Sequence, residues 1–397
     1  MNESERRGTQ RRSAGGETLE DREGALLARP GPFRPEPAGP ASTVRPEPGA
    51  RRNEHVYAAL DLGTNNCRLL IARPVPDGFR VIDAFSRIVR LGEGLSRTGR
   101  LAEPAMGRAL EALTACRQKM QAHGVTRARL ITTEACRSAA NGHAFLDRVR
   151  RETGLRLEIV DRRTEAMLAV SGCASLMDPA ATGVLIFDIG GGSTEVAWLE
   201  PGGDLGPKAL ARNVRSWVSL PLGVVTLAER FGGVRVNPAL FGTMVEVVRN
   251  RLSSFPLREA ARRRLADAPN HLLGTSGTVT TIAGLHLGLT RYDRRKVDGL
   301  WLEAPAVDGT VKRLLGMSYE DRVRSPCIGV DRADLVLAGC AILEAIRREF
   351  PCERLRVADR GLREGILASL MAEDAVPPHE APGRRRRRGG RRRRAGG

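Results

Sequence analysis

Aromatic residues are scarce in this 397-residue chain: three Trp, three Tyr and nine Phe, or 4%. A module that reads nucleic acid by stacking its bases needs a row of aromatic platforms, so this composition argues against one. Cysteine is sparse and scattered. Cys67, Cys116, Cys136, Cys173, Cys327, Cys340 and Cys352 are odd in number and form no C-x-x-C pair. This pattern excludes a disulfide framework and a cysteine zinc site, and fits reduced thiols. There is no apolar run of about 18 residues, so no transmembrane helix is expected. The charged N-terminus lacks the apolar stretch of a secretory signal. The expectation is a cytoplasmic protein.

What the chain has is positive charge and glycine. Half of the formal net charge of +18 comes from nine arginines near the C-terminus, Arg384–Arg388 and Arg391–Arg394. Such a run binds RNA, polyphosphate or anionic lipid by charge alone and identifies none of them. The remaining positive balance still favours anionic partners. Residues 1–54 and 375–397 have almost no apolar periodicity and are expected to be disordered, because they cannot bury enough surface to offset the entropy of ordering. A folded core over 55–374 suits two domains, and 41% hydrophobic residues provide the material for their interiors.

The core alternates strand and helix patterns. Tyr57–Leu60, Arg68–Ala72 and Phe79–Val89 read as strands, followed by a helix over Pro104–Ala122 with Pro at its start and Gly124 past its end. A strand over Arg129–Thr132, a helix over Ala144–Glu152, a strand over Leu155–Val160 and a helix over Thr164–Leu176 come next. Then the opening theme returns with strands Val184–Phe187 and Thr194–Leu199. Helices are expected near 224–231, 238–266, 278–287, 305–316 and 332–348, then a strand over Leu355–Ala358 and a helix over Leu362–Met371. Asp61-Leu62-Gly63-Thr64-Asn65 and Asp188-Ile189-Gly190-Gly191-Gly192-Ser193-Thr194 each join two apolar strands. Two copies, one per half, predict related lobes over 55–180 and 181–374 that face a shared cleft, with the last helix able to pack back on the first lobe.

A glycine turn after a strand lets backbone N–H groups approach an anion unobstructed. Thr64, Asn65, Ser193 and Thr194 add hydroxyl and amide donors. Asp61 and Asp188 would repel a phosphate unless they hold a divalent cation, and Mg²⁺ takes one or two carboxylates beside phosphate oxygens. A third cluster, Gly274-Thr275-Ser276-Gly277-Thr278, follows a strand and opens a helix, whose free N–H groups suit an anion or nucleotide.

Together these motifs resemble the actin/Hsp70/sugar-kinase superfamily and, within it, the exopolyphosphatase/guanosine-pentaphosphate phosphohydrolase (Ppx/GppA) family. The matching stretches run in family order across the core: Ala59–Asn65, Val89–Leu95, Thr133–Arg137, Glu165-Ala166, Asp188–Glu195, Leu222–Val224, Gly274–Thr278, Arg332–Asp334 and Leu362–Gly365. The resemblance implies an α/β fold with two ribonuclease-H-like, actin-like ATPase lobes around a central phosphate-binding cleft. It implies hydrolysis of terminal phosphoanhydride bonds of inorganic polyphosphate, or of guanosine pentaphosphate, with Mg²⁺ as cofactor. A homodimer is common in the family.

The resemblance makes Glu165 the catalytic glutamate that deprotonates the attacking water, and Asp188 and Glu195 the acidic pair that binds Mg²⁺, with Asp61 as a further metal ligand. It sets Arg137 and Arg332 facing the phosphates, with Arg90 a lesser candidate, and Glu134 beside Arg137. The turns would supply the phosphate contacts: Gly63, Thr64, Asn65 and Asn66 in the first, Gly190, Gly191, Gly192, Ser193 and Thr194 in the second, and Gly274, Ser276, Gly277 and Thr278 in the third. Two residues depart from the family pattern. Asn66 stands where a Ser is usual, and Met167 where an Arg usually follows Glu-Ala, removing a cation near Glu165. The core also ends without the C-terminal helical domains, including an HD-type hydrolase module, of longer members. Arg291, Arg294, Arg295 and Lys296 are a candidate basic track. A kinase of the same superfamily, a non-catalytic polyphosphate or alarmone sensor, and an RNA-bound protein are the alternatives.

Overall fold

The apolar runs around each Asp-x-Gly turn fold as hairpins, and each hairpin seeds a sheet. The computed structural model describes residues 55–375 apart from 77, 203–209, 211, 257–258 and 268. The expectations for 1–54 and for the arginine-rich tail fall outside these residues. In the first lobe β1 (Tyr57–Leu62), β2 (Asn66–Val75) and β3 (Gly78–Ile88) form an antiparallel meander. Parallel strands β4 (Arg127–Thr132) and β5 (Glu158–Ile159) extend it on the other side of β1. The order is β3-β2-β1-β4-β5.

The second lobe repeats this order. β6 (Val184–Ile189), β7 (Thr194–Leu199) and β8 (Val214–Leu220) form the meander, with β9 (His271–Thr275) and β11 (Arg354–Ala358) parallel beyond it and the short β10 (Trp301–Glu303) at the edge. The chain is thus an α/β protein of two ribonuclease-H-like lobes. β8 and β10 were absent from the sequence expectation. The continuous helix expected over 238–266 is two helices, Pro238–Leu252 and Glu259–Leu265. Pro256 lies between them, lacking the N–H a helix needs. The final helix runs further than expected, from Leu362 to Ala375.

Both central strands are buried on two faces, which explains their unbroken apolar runs. Ala58, Leu60 and Leu62 pack with the Glu103–Ala122 helix, while Tyr57 and Ala59 pack with Leu168, Ile366, Leu367 and Leu370. In the second lobe Leu185 and Phe187 join the core of the Val336–Glu349 helix, while Val184 and Ile186 pack with Val170 and Cys173. The Arg162–Cys173 helix therefore serves both sheets, and the Leu362–Ala375 helix, the last among the described residues, returns to the first. These two helices lie backbone against backbone. A Cβ on Gly172 would sit 1.8 Å from the Gly361 carbonyl oxygen, and one on Gly365 would sit 2.0 Å from that of Leu168.

The lobes also meet away from this crossing. Arg90 reaches the two carboxylate oxygens of Asp334 at 2.9 and 3.0 Å, and Glu229 accepts from the Gly94 amide at 2.6 Å and from the Ser96 hydroxyl. No helix among the described residues is long and apolar enough to cross a membrane.

Because carbonyl backbone cannot move aside as a flexible side chain does, Gly172→Ala is expected to cost about 3 kcal/mol or more in urea unfolding. Gly107→Ala, in a helix with open space around it, is expected to gain about 0.5–1 kcal/mol in the same assay through helix propensity.

Candidate active site

The two Asp-x-Gly turns have the same internal geometry. The Gly63 N–H donates to the Asn66 carbonyl at 2.9 Å, and the Gly190 N–H donates to the Ser193 carbonyl at 2.9 Å. The carbonyls of the first turn are tied back by the following segment: Asn65 O accepts from the Val89 and Arg90 amides, and Thr64 O from the Gly92 amide. In the second turn Gly190 O and Gly191 O accept from the Val224 and Val225 amides. The amides of Thr64, Asn65, Gly191 and Gly192 donate to no described residue. The turns press together, leaving a Cβ on Gly191 only 3.0 Å from Thr64 Cβ and one on Gly192 only 2.6 Å from Thr64 Oγ1. Carbonyls fixed outward and free N–H groups make an anion cradle. Beside it the Gly277–His286 helix begins, preceded by Ser276 at φ 82°, a value that favours glycine. The Ser276 hydroxyl donates to the Ile189 carbonyl at 2.8 Å, fixing the third motif to the second turn.

These elements bound a cavity of about 500 Å³ whose wall includes Asp61, Glu165, Asp188 and Glu195. Asp188 and Glu195 are direct partners across the β6–β7 ladder. Residues so placed have Cβ atoms ~5 Å apart, close enough for like charges to repel. Burial, then the Asp61 charge, pushes Asp188 up to about 6 against the pull of Arg68. Burial and Asp188 push Glu195 up to about 7, although Ser219 donates to its carboxylate at 2.7 Å. Burial also raises Asp61, whose buried Oδ1 has no partner.

Among the described residues no group of three or more His, Cys, Asp and Glu is arranged to hold a metal ion. The expected set of Asp61, Asp188 and Glu195 lines one wall without closing into such a site. An orphaned carboxylate oxygen and hard-oxygen donors nevertheless fit Mg²⁺ held by one or two carboxylates, with the remaining positions open to substrate and water.

Glu165 enters the cavity from the first turn of its helix, which Asp161 caps by accepting from the Thr164 amide at 2.6 Å. Burial, then Glu195, holds its carboxyl well above the usual range, against the opposing charge of Arg137. Arg137 lies behind the wall rather than on it. It donates to Glu165 at 3.0 Å, to Glu134 at 2.6 Å and to the Val160 carbonyl at 2.7 Å. With Met167 uncharged, Arg137 is the cation paired with Glu165.

Gly63, Thr64, Asn65, Asn66, Gly190, Gly191, Gly192, Ser193, Ser276, Gly277 and Arg332 all line the cavity. Thr278 lines a smaller adjoining cavity. Four expected contacts are elsewhere. Arg90 is spent on Asp334. Arg137 faces carboxylates. The Thr194 hydroxyl donates to the Leu222 carbonyl, and Gly274 is packed beneath the Phe187 ring. In the candidate basic track, Arg294 is held by Glu364 at 3.0 Å and Asp359 at 3.5 Å. Sequence reasoning missed Arg68 and Arg363 in the wall. Arg68 was legible: it follows Asp61 by seven residues, as Glu195 follows Asp188, and each is the ladder partner of its Asp.

The raised carboxyls make the ligand-free protein lose stability as pH climbs from about 4 to about 7, because the folded state binds those protons more tightly than the unfolded state. Asp188→Asn removes a like charge and is expected to raise ligand-free stability at pH 8 by about 2–3 kcal/mol. The gain should shrink toward zero near pH 4 in chemical unfolding at the two pH values.

A profile of the Ppx/GppA phosphatase family matches residues 70–374. The chain is 29% identical over 328 residues to Exopolyphosphatase 2 of Mycobacterium tuberculosis, covering 79% of this chain and 98% of that one. It is 27% identical over 326 residues to a guanosine-5'-triphosphate,3'-diphosphate pyrophosphatase of Pseudoalteromonas translucida, covering 81% of this chain and 60% of that protein. The crystal structure of the Aquifex aeolicus Ppx/GppA family member superposes with a TM-score of 0.66 at 29% identity, covering 81% of this chain and 99% of that one. With that profile matching 305 of the 397 residues, the chain belongs to the Ppx/GppA phosphatase family.

Proposed function

We propose that this phosphatase is an exopolyphosphatase, hydrolysing the terminal phosphoanhydride bond of inorganic polyphosphate and releasing orthophosphate. The observation that carries the reading is the placing of four carboxylates, Asp61, Glu165, Asp188 and Glu195, inside a cradle of free amides. A pocket that only bound a polyanion would bind better without them. Transfer of a phosphoryl group to water uses all four, as a base and as cation ligands. The wall contains one aromatic ring, Tyr292. Recognition therefore rests on phosphate groups, which favours polyphosphate over guanosine pentaphosphate as the substrate.

In this reading the free amides of both turns, with Thr64, Asn65, Asn66 and Ser193 beside them, hold the terminal phosphoryl group. Asp61, Asp188 and Glu195 would hold Mg²⁺, which when bound neutralises charge on the phosphate oxygens. Glu165 accepts a proton from water as the water oxygen bonds to phosphorus. The bond from phosphorus to the bridging oxygen breaks, and the shortened chain leaves with the electron pair. Arg137 orients the Glu165 carboxylate and keeps enough of it ionised to act as a base; Glu134 holds Arg137 in turn, and Arg162 pairs with Glu134.

Phosphate release with Mg²⁺ from long-chain polyphosphate is expected to exceed release from guanosine pentaphosphate, and Glu165→Gln should lower it by roughly 10²–10⁴-fold. A preference for the guanosine substrate would move the assignment to that activity of the same site. Release from neither, with binding retained, would favour a sensor. Arg137→Met removes a charge that lowers the Glu165 pKa, so the acid limb of kcat/KM should move to higher pH while kcat falls.

A further inference from the structure

Among the described residues only two other than glycine have a backbone in the left-handed region: Ser276 at the third motif, and Arg90 at φ 47°. A side chain is held there only where its surroundings over-determine it, and such positions gather at functional sites. Arg90 is fixed through both its backbone and its side chain. Its amide and that of Val89 donate to the Asn65 carbonyl at 3.0 and 2.9 Å, and Arg108 donates to the Val89 carbonyl at 2.9 Å. Its guanidinium crosses to the other lobe. There it donates to both carboxylate oxygens of Asp334 at 2.9 and 3.0 Å and to the Asp331 carbonyl at 3.2 Å. A bidentate pair of this kind fixes direction as well as distance.

The far end of the pair is held as firmly. A Cβ on Gly233 would lie 1.7 Å from the Asp334 carbonyl oxygen, so main chain presses directly on main chain there. The buried Arg322 donates to the Ala333 carbonyl at 2.7 Å, to the Gly233 carbonyl at 3.0 Å and to the Val234 carbonyl at 2.5 Å. Asp334 therefore has a fixed place, and Arg332, two residues before it, lines the cavity. At the near end Asn65 and Asn66 line the same cavity. One path thus runs from the first phosphate turn through Arg90, across to Asp334 and back into the cavity at Arg332. The other contact between the lobes differs: Gly94, Ser96 and Glu229 all lie outside the cavity wall.

We propose that Arg90 and Asp334 are positioning residues, a strut between the lobes that sets the spacing of the first phosphate turn and Arg332. Neither lines the cavity, so both act through their neighbours. With the strut in place the spacing is set before substrate arrives. Without it the substrate must order the two edges itself, and that cost is taken from binding. The inference rests on the exopolyphosphatase reading for the substrate whose turnover is measured.

The test uses the sign of the charge. Arg90→Met removes a positive charge and Asp334→Asn a negative one, so by charge alone a polyanion binds the first more weakly and the second more tightly. A strut predicts a loss in both. The KM for long-chain polyphosphate with Mg²⁺ should rise about tenfold in each, with kcat changed by less than about threefold. The double variant should be no worse than either single one, and Arg90→Lys, which can reach one carboxylate oxygen, should recover part of the loss. A pair that served stability alone would lower the Tm of both variants and leave the KM unchanged. A KM within about twofold of wild type in both single variants, a lower KM in Asp334→Asn, or losses that multiply in the double variant would overturn the strut. If Arg90→Met does not fold, the near-isosteric Asp334→Asn decides. If the wild type releases no phosphate, the hydrolytic reading fails, and the same variants are compared by calorimetric titration of tripolyphosphate. Binding about tenfold weaker in both single variants would then support the strut, and unchanged affinity, or no binding by the wild type, would overturn it.

Discussion

The contact between Gly172 and Gly365 governs how the rest of the molecule is arranged. Two helices that touch through their backbones have no side chain between them to yield, so their separation and crossing point are set by the main chain. One of them carries Glu165 at its start; the other carries Arg363 and Glu364 at its start. Each is packed on a sheet that the chain reaches far from it in sequence. A shift of the crossing would move Glu165 and Arg363 together with the sheets packed on the two helices. The cleft is therefore built against a backbone-to-backbone contact, while Arg90 and Glu229 join the lobes through more exposed polar contacts.

The second organising element is electrostatic. The protein accepts an unfavourable grouping of buried carboxylates, Asp61, Glu165, Asp188 and Glu195, in the wall of one cavity. Supporting groups keep this strain in register: Ser219 on Glu195, and Arg137 with Glu134 and Arg162 behind Glu165. Stability given up inside a cleft in this way is a usual cost of a reactive site.

Much of this was legible in the sequence because the duplicated hairpin leaves a local signature. The Asp-x-Gly turns, their flanking apolar strands and the glycine cluster before the Gly277–His286 helix identified both lobes and most of the cavity wall. β8 was missed although Val214, Ser216, Val218 and Leu220 alternate with other residues as a strand does. The fates of Arg90 and Arg137 were not legible. Both sit in motifs, but an arginine meets a phosphate or a carboxylate according to what the fold brings opposite it, and Asp334 lies 244 residues from Arg90. Arg363 was hidden for the related reason that its helix begins far from the turns it joins.

The two hairpins share one geometry and differ at one informative place: the partner of the aspartate is Arg68 in one lobe and Glu195 in the other. A linear polyphosphate has no such difference, since its two ends are chemically identical and nothing in the chain marks a head or a tail. Either end can enter first with the same result, so any difference between the first phosphate and those behind it comes from the protein. A duplicated hairpin with the same residue in both places would treat neighbouring phosphates alike; opposite charges there let it treat them differently.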